Sequence, residues 1–253
     1  MLITESYLRE VIRESILRGF SSFIYNAGVD NVSRYPKIHK WSVQGELQIY
    51  LLTAGNLATS QAVISHLQER GQVSDDRKSD IFQVTSLFQA ARLVGETLRE
   101  VIAEMKDGGQ EAANKFDATL ILGGQINGGD MSLYLIYPEG NFIEVSDDQP
   151  FFQIGETKYG KPILVRAFDE RLSFSEAVKL LVVSFDSTIK ANVSVGMPLD
   201  LCVYEKDSLS SGHSQRLDED NVYFQEISGL WGAKLKDAFR NLPDFQLSKK
   251  HRD

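Results

Sequence analysis

Four consecutive residues, Thr53-Ala54-Gly55-Asn56, stand where an apolar strand breaks and a helix begins, a place where backbone amides can do chemistry. Gly55 lets the chain turn where a Cβ would clash, and the amides that open the following helix have no partner inside it. They can therefore receive an anion or a developing oxyanion. The same glycine also serves a plainer purpose, ending a strand so that two elements pack closely, and local sequence alone favours that reading. Other chemistry-bearing types are sparse. Cys202 lies in the strand-like run 199–204 and reads as a buried, unreactive thiol, and one cysteine allows no intrachain disulfide. His39, His66, His213 and His251 show no metal-ligand spacing, so neither a metal nor a cofactor is expected. The glycine-rich stretch 123–130, GGQINGGD, invites comparison with a phosphate cradle. It joins strand to strand, however, and lacks a following Lys-Ser or Lys-Thr pair.

The elements that must position this corner are legible from periodicity. Leu47, Ile49 and Leu51 alternate with Gln48, Tyr50 and Leu52, and from Leu57 onward Ala58, Ala62, Ile64 and Leu67 keep helical spacing. Upstream, residues 4–20 carry Leu8, Val11, Ile12, Ile16 and Phe20 on one face, an amphipathic helix with Thr4 and Ser6 suited to its N-cap. A polar loop ends at Pro36, and 37–43 reads as a strand. Downstream, 80–105 reads as a long helix capped by Asp80 and stopped by Gly108-Gly109. Strands are expected at 116–123, 131–136 and 141–145, with 124–129 as a loop. The helix at 173–190 opens with a capping box, Ser173-Phe174-Ser175-Glu176. Closing strands are expected at 199–204 and 222–227 across a polar, mobile connection at 205–220, and a short helix around Trp231, Leu235, Ala238 and Phe239 ends the fold. Sheets packed on each other with helices outside give an α+β fold, a four-layer αββα sandwich.

Composition bounds the function. The 253 residues, 42% hydrophobic and 25% charged, are enough for a sizeable core. A net charge of −8, with scattered Lys and Arg, argues against a nucleic-acid partner. There is no leader of signal-peptide form and no apolar run of membrane-span length, so no membrane partner is expected and the default compartment is the cytoplasm. The final Lys249-Lys250-His251-Arg252 run reads as a solvated tail.

Four stretches carry a resemblance: Asn26-Ala27-Gly28-Val29-Asp30-Asn31, Leu51 through Thr59, Phe151-Phe152-Gln153-Ile154-Gly155-Glu156 and Asn192-Val193-Ser194-Val195-Gly196. They resemble the bacterial proteasome-like proteins of the ancestral beta subunit (Anbu) branch, over about residues 26–245. The resemblance implies the N-terminal nucleophile hydrolase sandwich of proteasome beta-subunit type and self-assembly into a ring or an open helical array. It also implies a threonine-type endopeptidase acting on peptides or unfolded protein. In that family an N-terminal threonine hydroxyl attacks the peptide carbonyl while its own amine serves as base. A lysine lowers the local proton affinity, an aspartate of an Asp-Ser-Arg motif supports the lysine, and a glycine amide holds the oxyanion. Carried over, Lys37 matches the lysine, Gly55 the oxyanion glycine, Thr53 and Leu57 the substrate-pocket positions, and Ser194 a serine that packs near the nucleophile.

The chain departs from the family before Asn26. Residue 2 is Leu, an ungapped count puts Ser6 at the nucleophile position, and Ser22 falls where the aspartate belongs. An internal hydroxyl has no free amine, so Thr4 or Ser6 requires proteolytic exposure. The division is then an atypical segment 1–25, a proteasome-like domain 26–245 with its first strand altered, and a polar tail 246–253. Two accounts fit the departure: loss of catalysis with an assembly role kept, or a start read in the wrong frame. The genetic code allows Gly19-Phe20-Ser21 to be an out-of-frame Asp-Ser-Arg. Three functions remain: an endopeptidase subunit, a non-catalytic peptide-binding or structural subunit, and a small-molecule amide hydrolase, which the same fold also hosts. If the carry-over is right, Lys37 and Ser194 approach the Gly55 turn; on opposite faces they would show it wrong even where the fold is right. If the first strand is missing or replaced by the helix that residues 5–18 prefer, Lys37 loses the family's carboxylate, and the pocket is expected to be open, wet and unable to position a nucleophile.

Overall fold

The computed structural model describes residues 18–20, 36–70, 80–107 and 116–246. Its centre is an antiparallel five-stranded sheet in the order β2-β3-β4-β5-β6, formed by β2 (Ile38–Val43), β3 (Leu47–Gly55), β4 (Ala118–Ile126), β5 (Ser132–Ile136) and β6 (Phe142–Glu144). A second sheet, in the order β1-β7-β8, comprises β1 (Arg18–Phe20), β7 (Leu199–Val203) and β8 (His213–Leu217). Helices α1 (Leu57–Arg70) and α2 (Leu87–Asp107) cover one side. A short α3 (Lys161–Ala167), α4 (Phe174–Ala191) and α5 (Val222–Arg240) belong to the other.

Strand periodicity assigns the layers. Leu47, Ile49 and Leu51 of β3 join Trp41 of β2 and Val63, Leu67, Val94 and Leu98 of the helices in one core. Tyr50 and Leu52, on the opposite face, join Leu133, Phe152, Leu164 and, from the second sheet, Cys202 and Tyr204. Leu199 and Leu217 point outward to Val182 of α4 and Phe224 of α5, a third cluster. The sequence of layers is helix, sheet, sheet, helix, as expected. Cys202 is buried between the sheets, where loss of water pushes its thiol pKa up.

Several boundaries differ from the periodicity, each for a physical reason. Residues 18–20 are a strand paired with β7, Arg18 opposite Leu201 and Phe20 opposite Leu199, so the expected helix does not reach Phe20. The rest of that helix lies outside the described residues. The long helix starts at Leu87, not Asp80. Asp80 caps a local turn by accepting from the Phe82 amide (2.9 Å), and Ser86 Oγ instead receives the Gln89 amide (3.2 Å). Gly108 and Gly109 lie outside the described residues. β4 continues through Gly124, which adopts φ +142° and packs against the Gln48 carbonyl too closely for a Cβ, so the loop is shortened to a tight turn.

The expected closing strand at 222–227 is the start of a 19-residue helix, whose N-cap Asn221 accepts from the Phe224 amide at 3.0 Å. The true closing strand is β8, inside the segment expected to be mobile. That segment is pinned: Gly212 N donates to Tyr50 Oη (2.7 Å), Asp207 N and Tyr204 Oη both donate to Gln125 Oε1 (2.7 and 3.0 Å), and Gly45 N donates to Leu209 O (2.8 Å). These bonds tie the two sheets together at the end remote from Gly55.

Candidate functional site

The β3–α1 corner is built from backbone geometry. β3 ends at Gly55, whose φ of +101° disfavours any other residue, and a Cβ there would sit 2.5 Å from Asp117 O. Asn56 donates its amide to the same Asp117 carbonyl (2.9 Å), and its side-chain oxygen caps α1 by accepting from Thr59 N (2.9 Å). Strand amides alternate in direction. Since Asn56 points to β4 and Thr53 donates to Lys37 O (3.2 Å), the Gly55 amide is aimed to the β2 side, just past the start of β2.

Lys37 is set against this corner. The β2–β3 register pairs Ile38 with Leu52, so Lys37 lies opposite Thr53, two residues before Gly55, on the sheet face that Trp41 and Ile49 share. It is 4% exposed, and loss of water pushes its ammonium pKa down. Residues 18–20 do form a strand and the rest of 1–35 lies outside the described residues, so the condition for an open, wet pocket is not met there; Lys37 is dry although, among the described residues, no carboxylate pairs with it. Thr53 is equally buried, at 4%, and among the described residues its hydroxyl has no hydrogen-bond partner. His39, one step along the same face, is pushed down to about 4. Burial is the main cause, a hydrogen bond with the Pro36 backbone opposes it, and the Lys37 charge adds to it. A buried amine whose pKa is lowered by loss of water, a buried hydroxyl and an amide aimed to the β2 side thus share one end of the sheet. Such a set can manage a proton and hold an oxyanion. Leu57, the first residue of α1, is half-buried beside the turn.

Ser194 reaches the corner through intermediaries. Its amide and hydroxyl both donate to Asn192 Oδ1 (2.9 and 2.7 Å), and Asn192 Nδ2 donates to Glu156 Oε2 (2.8 Å). The neighbouring Gly155, at φ +78°, lies beside Ala54, and a Cβ on it would be in ordinary contact with the Ala54 methyl at 3.5 Å. Lys37 is therefore set opposite Thr53, Gly55 and Leu57 follow two and four residues further along the chain, and Ser194 is linked towards this corner through Asn192, Glu156 and Gly155. Glu156 and Asn192 were missed as site residues by sequence reasoning, although both stand in stretches that carry the family resemblance. Thr4, Ser6 and Ser22 lie outside the described residues. Among the described residues there is no group of three or more His, Cys, Asp or Glu arranged to hold a metal, and no helix long and apolar enough to cross a membrane.

No protein-family model and no curated protein sequence matches the chain. Solved structures do. Anbu (ancestral beta-subunit) from Yersinia bercovieri is 42% identical, with a TM-score of 0.80, over 90% of this chain and 94% of that one. Anbu from Hyphomicrobium sp. strain MC1 is 44% identical, with a TM-score of 0.80, over 89% and 93%. The helical assembly of the Anbu complex from Pseudomonas aeruginosa is 42% identical, with a TM-score of 0.81, over 91% and 94%.

Proposed function

The chain belongs to the Anbu (ancestral beta-subunit) family of proteasome-like proteins, and from that premise we propose that it is a peptide-bond hydrolase subunit of the N-terminal nucleophile, threonine type. The observation that carries this reading is the buried Lys37 opposite Thr53, two residues from the Gly55 turn. In the proposed reaction a hydroxyl exposed at a processed N-terminus, Thr4 or Ser6, adds to the substrate carbonyl and gives its proton to its own α-amine. Lys37 lowers the proton affinity of that hydroxyl, and the Gly55 amide donates to the oxyanion. Collapse breaks the C–N bond as the amine returns the proton to the leaving group, and water then releases the acyl chain by the reverse exchange. Thr53 and Leu57 line the pocket for the substrate side chain, and Ser194, held by Asn192, packs near the nucleophile. The substrate is a peptide or unfolded protein, the compartment is the cytoplasm, and neither nucleic acid, membrane, metal nor cofactor takes part.

Self-assembly belongs to the same reading, supported by the helical assembly named for the Pseudomonas aeruginosa relative. Light scattering that gives a monomer mass at micromolar concentration would contradict it. The catalytic part is tested with a fluorogenic peptide series and the Lys37→Met variant, with folding checked by circular dichroism. Loss of the lysine should cost about 10²-fold or more in kcat, the usual scale for a proton-handling group. Undiminished turnover by a folded variant would overturn the assignment. A non-catalytic subunit that only binds peptides is the second reading, favoured by the absence of a carboxylate partner for Lys37 among the described residues. It predicts peptide binding with no product from either protein.

A further inference from the structure

We propose that the C-terminal end of α5 is an arm that docks on a second copy of this chain. This rests on the self-assembly proposed above and names the segment and the chemistry that make the contact. The first half of α5 is anchored: Phe224 is buried, Lys190 Nζ donates to Ser228 Oγ (2.7 Å), and Trp231 Nε1 donates to Ser187 Oγ (3.3 Å). Beyond Gly232 the anchoring stops. Every residue of 233–246 is exposed, yet 233–240 remains helical. Helical turns with no tertiary burial are marginal in water, so a helix that continues past its own fold expects a partner.

The composition of the arm says what that partner offers. Leu235, Phe239 and Leu242 recur at helical spacing and Phe245 follows, exposed by 49%, 75%, 63% and 87%. Anchors at such intervals are how an amphipathic helix lies in an apolar groove. The polar positions are mainly basic, with six Lys and Arg against three Asp over residues 234–253, in a chain whose net charge is −8. The arm is therefore complementary to the rest of its own chain. One surface in particular matches it. Phe88 on α2 is 55% exposed and stacks edge-on against Phe142 (5.4 Å), the turn at Gly140 packs against Gly95 of the same helix, and the exposed charges around this edge include Glu139 and Glu144, with Arg99 beside the Gly140 turn. An arm of one copy on the α2–β6 edge of the next is a heterologous contact, which propagates rather than closing on itself at two subunits.

Sedimentation velocity over a concentration series tests this with the full chain and with two variants, Phe239→Ser combined with Leu242→Ser on the arm, and Phe88→Ser on the receiving edge. The substituted arm residues are exposed, and circular dichroism verifies that each variant folds. Each should raise the concentration for half-assembly about tenfold or more, the scale of losing a central apolar anchor. Added salt should weaken assembly of the unaltered chain. Assembly by both variants at the concentrations of the unaltered chain would overturn the inference while leaving self-assembly intact. A monomeric unaltered chain would overturn both. Mixing with phosphatidylcholine vesicles that contain phosphatidylglycerol separates the remaining occupant: binding lost in the arm variant, with assembly unchanged, would assign the arm to an anionic lipid surface instead.

Discussion

Replacing Lys37 by methionine should remove turnover and at the same time make the protein more stable at neutral pH. The side chain is 4% exposed and, among the described residues, no carboxylate faces it, so the folded state bears an ammonium, or the cost of discharging one. That cost has a ceiling. Shedding the proton at pH 7 takes about 1.4 kcal/mol for each pH unit up to the ordinary lysine value of 10.5, or about 5 kcal/mol. Partial hydration and a polar neighbour such as the Thr53 hydroxyl reduce it, while methionine fills a similar volume without a charge. A gain of about 2 kcal/mol is expected, which for a chain of this size raises the thermal midpoint by about 4–8 °C. The pH dependence supplies the stricter test. Because burial lowers the folded-state pKa, the unfolded chain binds more protons between that lowered value and 10.5, and the unaltered protein gains stability as pH rises through this window. The variant lacks that gain, so its advantage should shrink towards zero by pH 10. Urea denaturation of both proteins at pH 7 and pH 10 measures this. A variant less stable than its parent at pH 7, or an advantage as large at pH 10, would refute the argument that Lys37 is held against its preference for water.

Gly55→Ala should cost about 1–3 kcal/mol by urea denaturation, because alanine is strained at φ +101° and its methyl meets Asp117 O; turnover should fall with it. Thr53→Val keeps the shape and removes a buried hydroxyl that has no partner among the described residues, so stability should hold or rise by about 1 kcal/mol, and a loss of stability would reveal a bond to the hydroxyl. Asn192→Ala leaves the Ser194 hydroxyl and the Glu156 carboxylate without the group that joins them, at an expected cost of about 1 kcal/mol and with reduced turnover. His39 titrates at about 4 in the folded state and near 6.5 unfolded. The unfolded chain therefore binds the extra proton between these values, and stability should fall as pH drops through that window by at most about 3 kcal/mol, reduced to about 2 kcal/mol by solvent screening of the half-buried ring, a slope absent from His39→Gln.

The parts of the fold that were legible in sequence are those set by local chemistry. The alternation over residues 47–52, the helix after Asn56 and the capping box at Ser173 each involve neighbours a few residues apart, and all three are present. What failed depends on distant partners. Val222, Tyr223 and Phe224 look like a strand by side-chain type, but the Asn221 cap and the packing of Phe224 against α4 make them a helix. The polar run after Tyr204 looks mobile until Tyr50 and Gln125, far away in the chain, supply its bonds. The site divides in the same way. The Gly55 corner could be read from spacing, whereas Lys37 and Ser194 were marked only by family resemblance. The Glu156–Asn192 link, 36 residues apart in sequence, leaves no periodic trace.

In the proposed mechanism, turnover requires a hydroxyl and a free amine on the same N-terminal residue, served by Lys37 and the Gly55 amide. Intact-mass and N-terminal analysis of the peptide-cleaving fraction tests it most directly. This fraction should begin with a free threonine or serine, with Thr4 and Ser6 as the candidates, and chain retaining Met1 should be inactive. Robust cleavage by protein that still carries Met1 would contradict it.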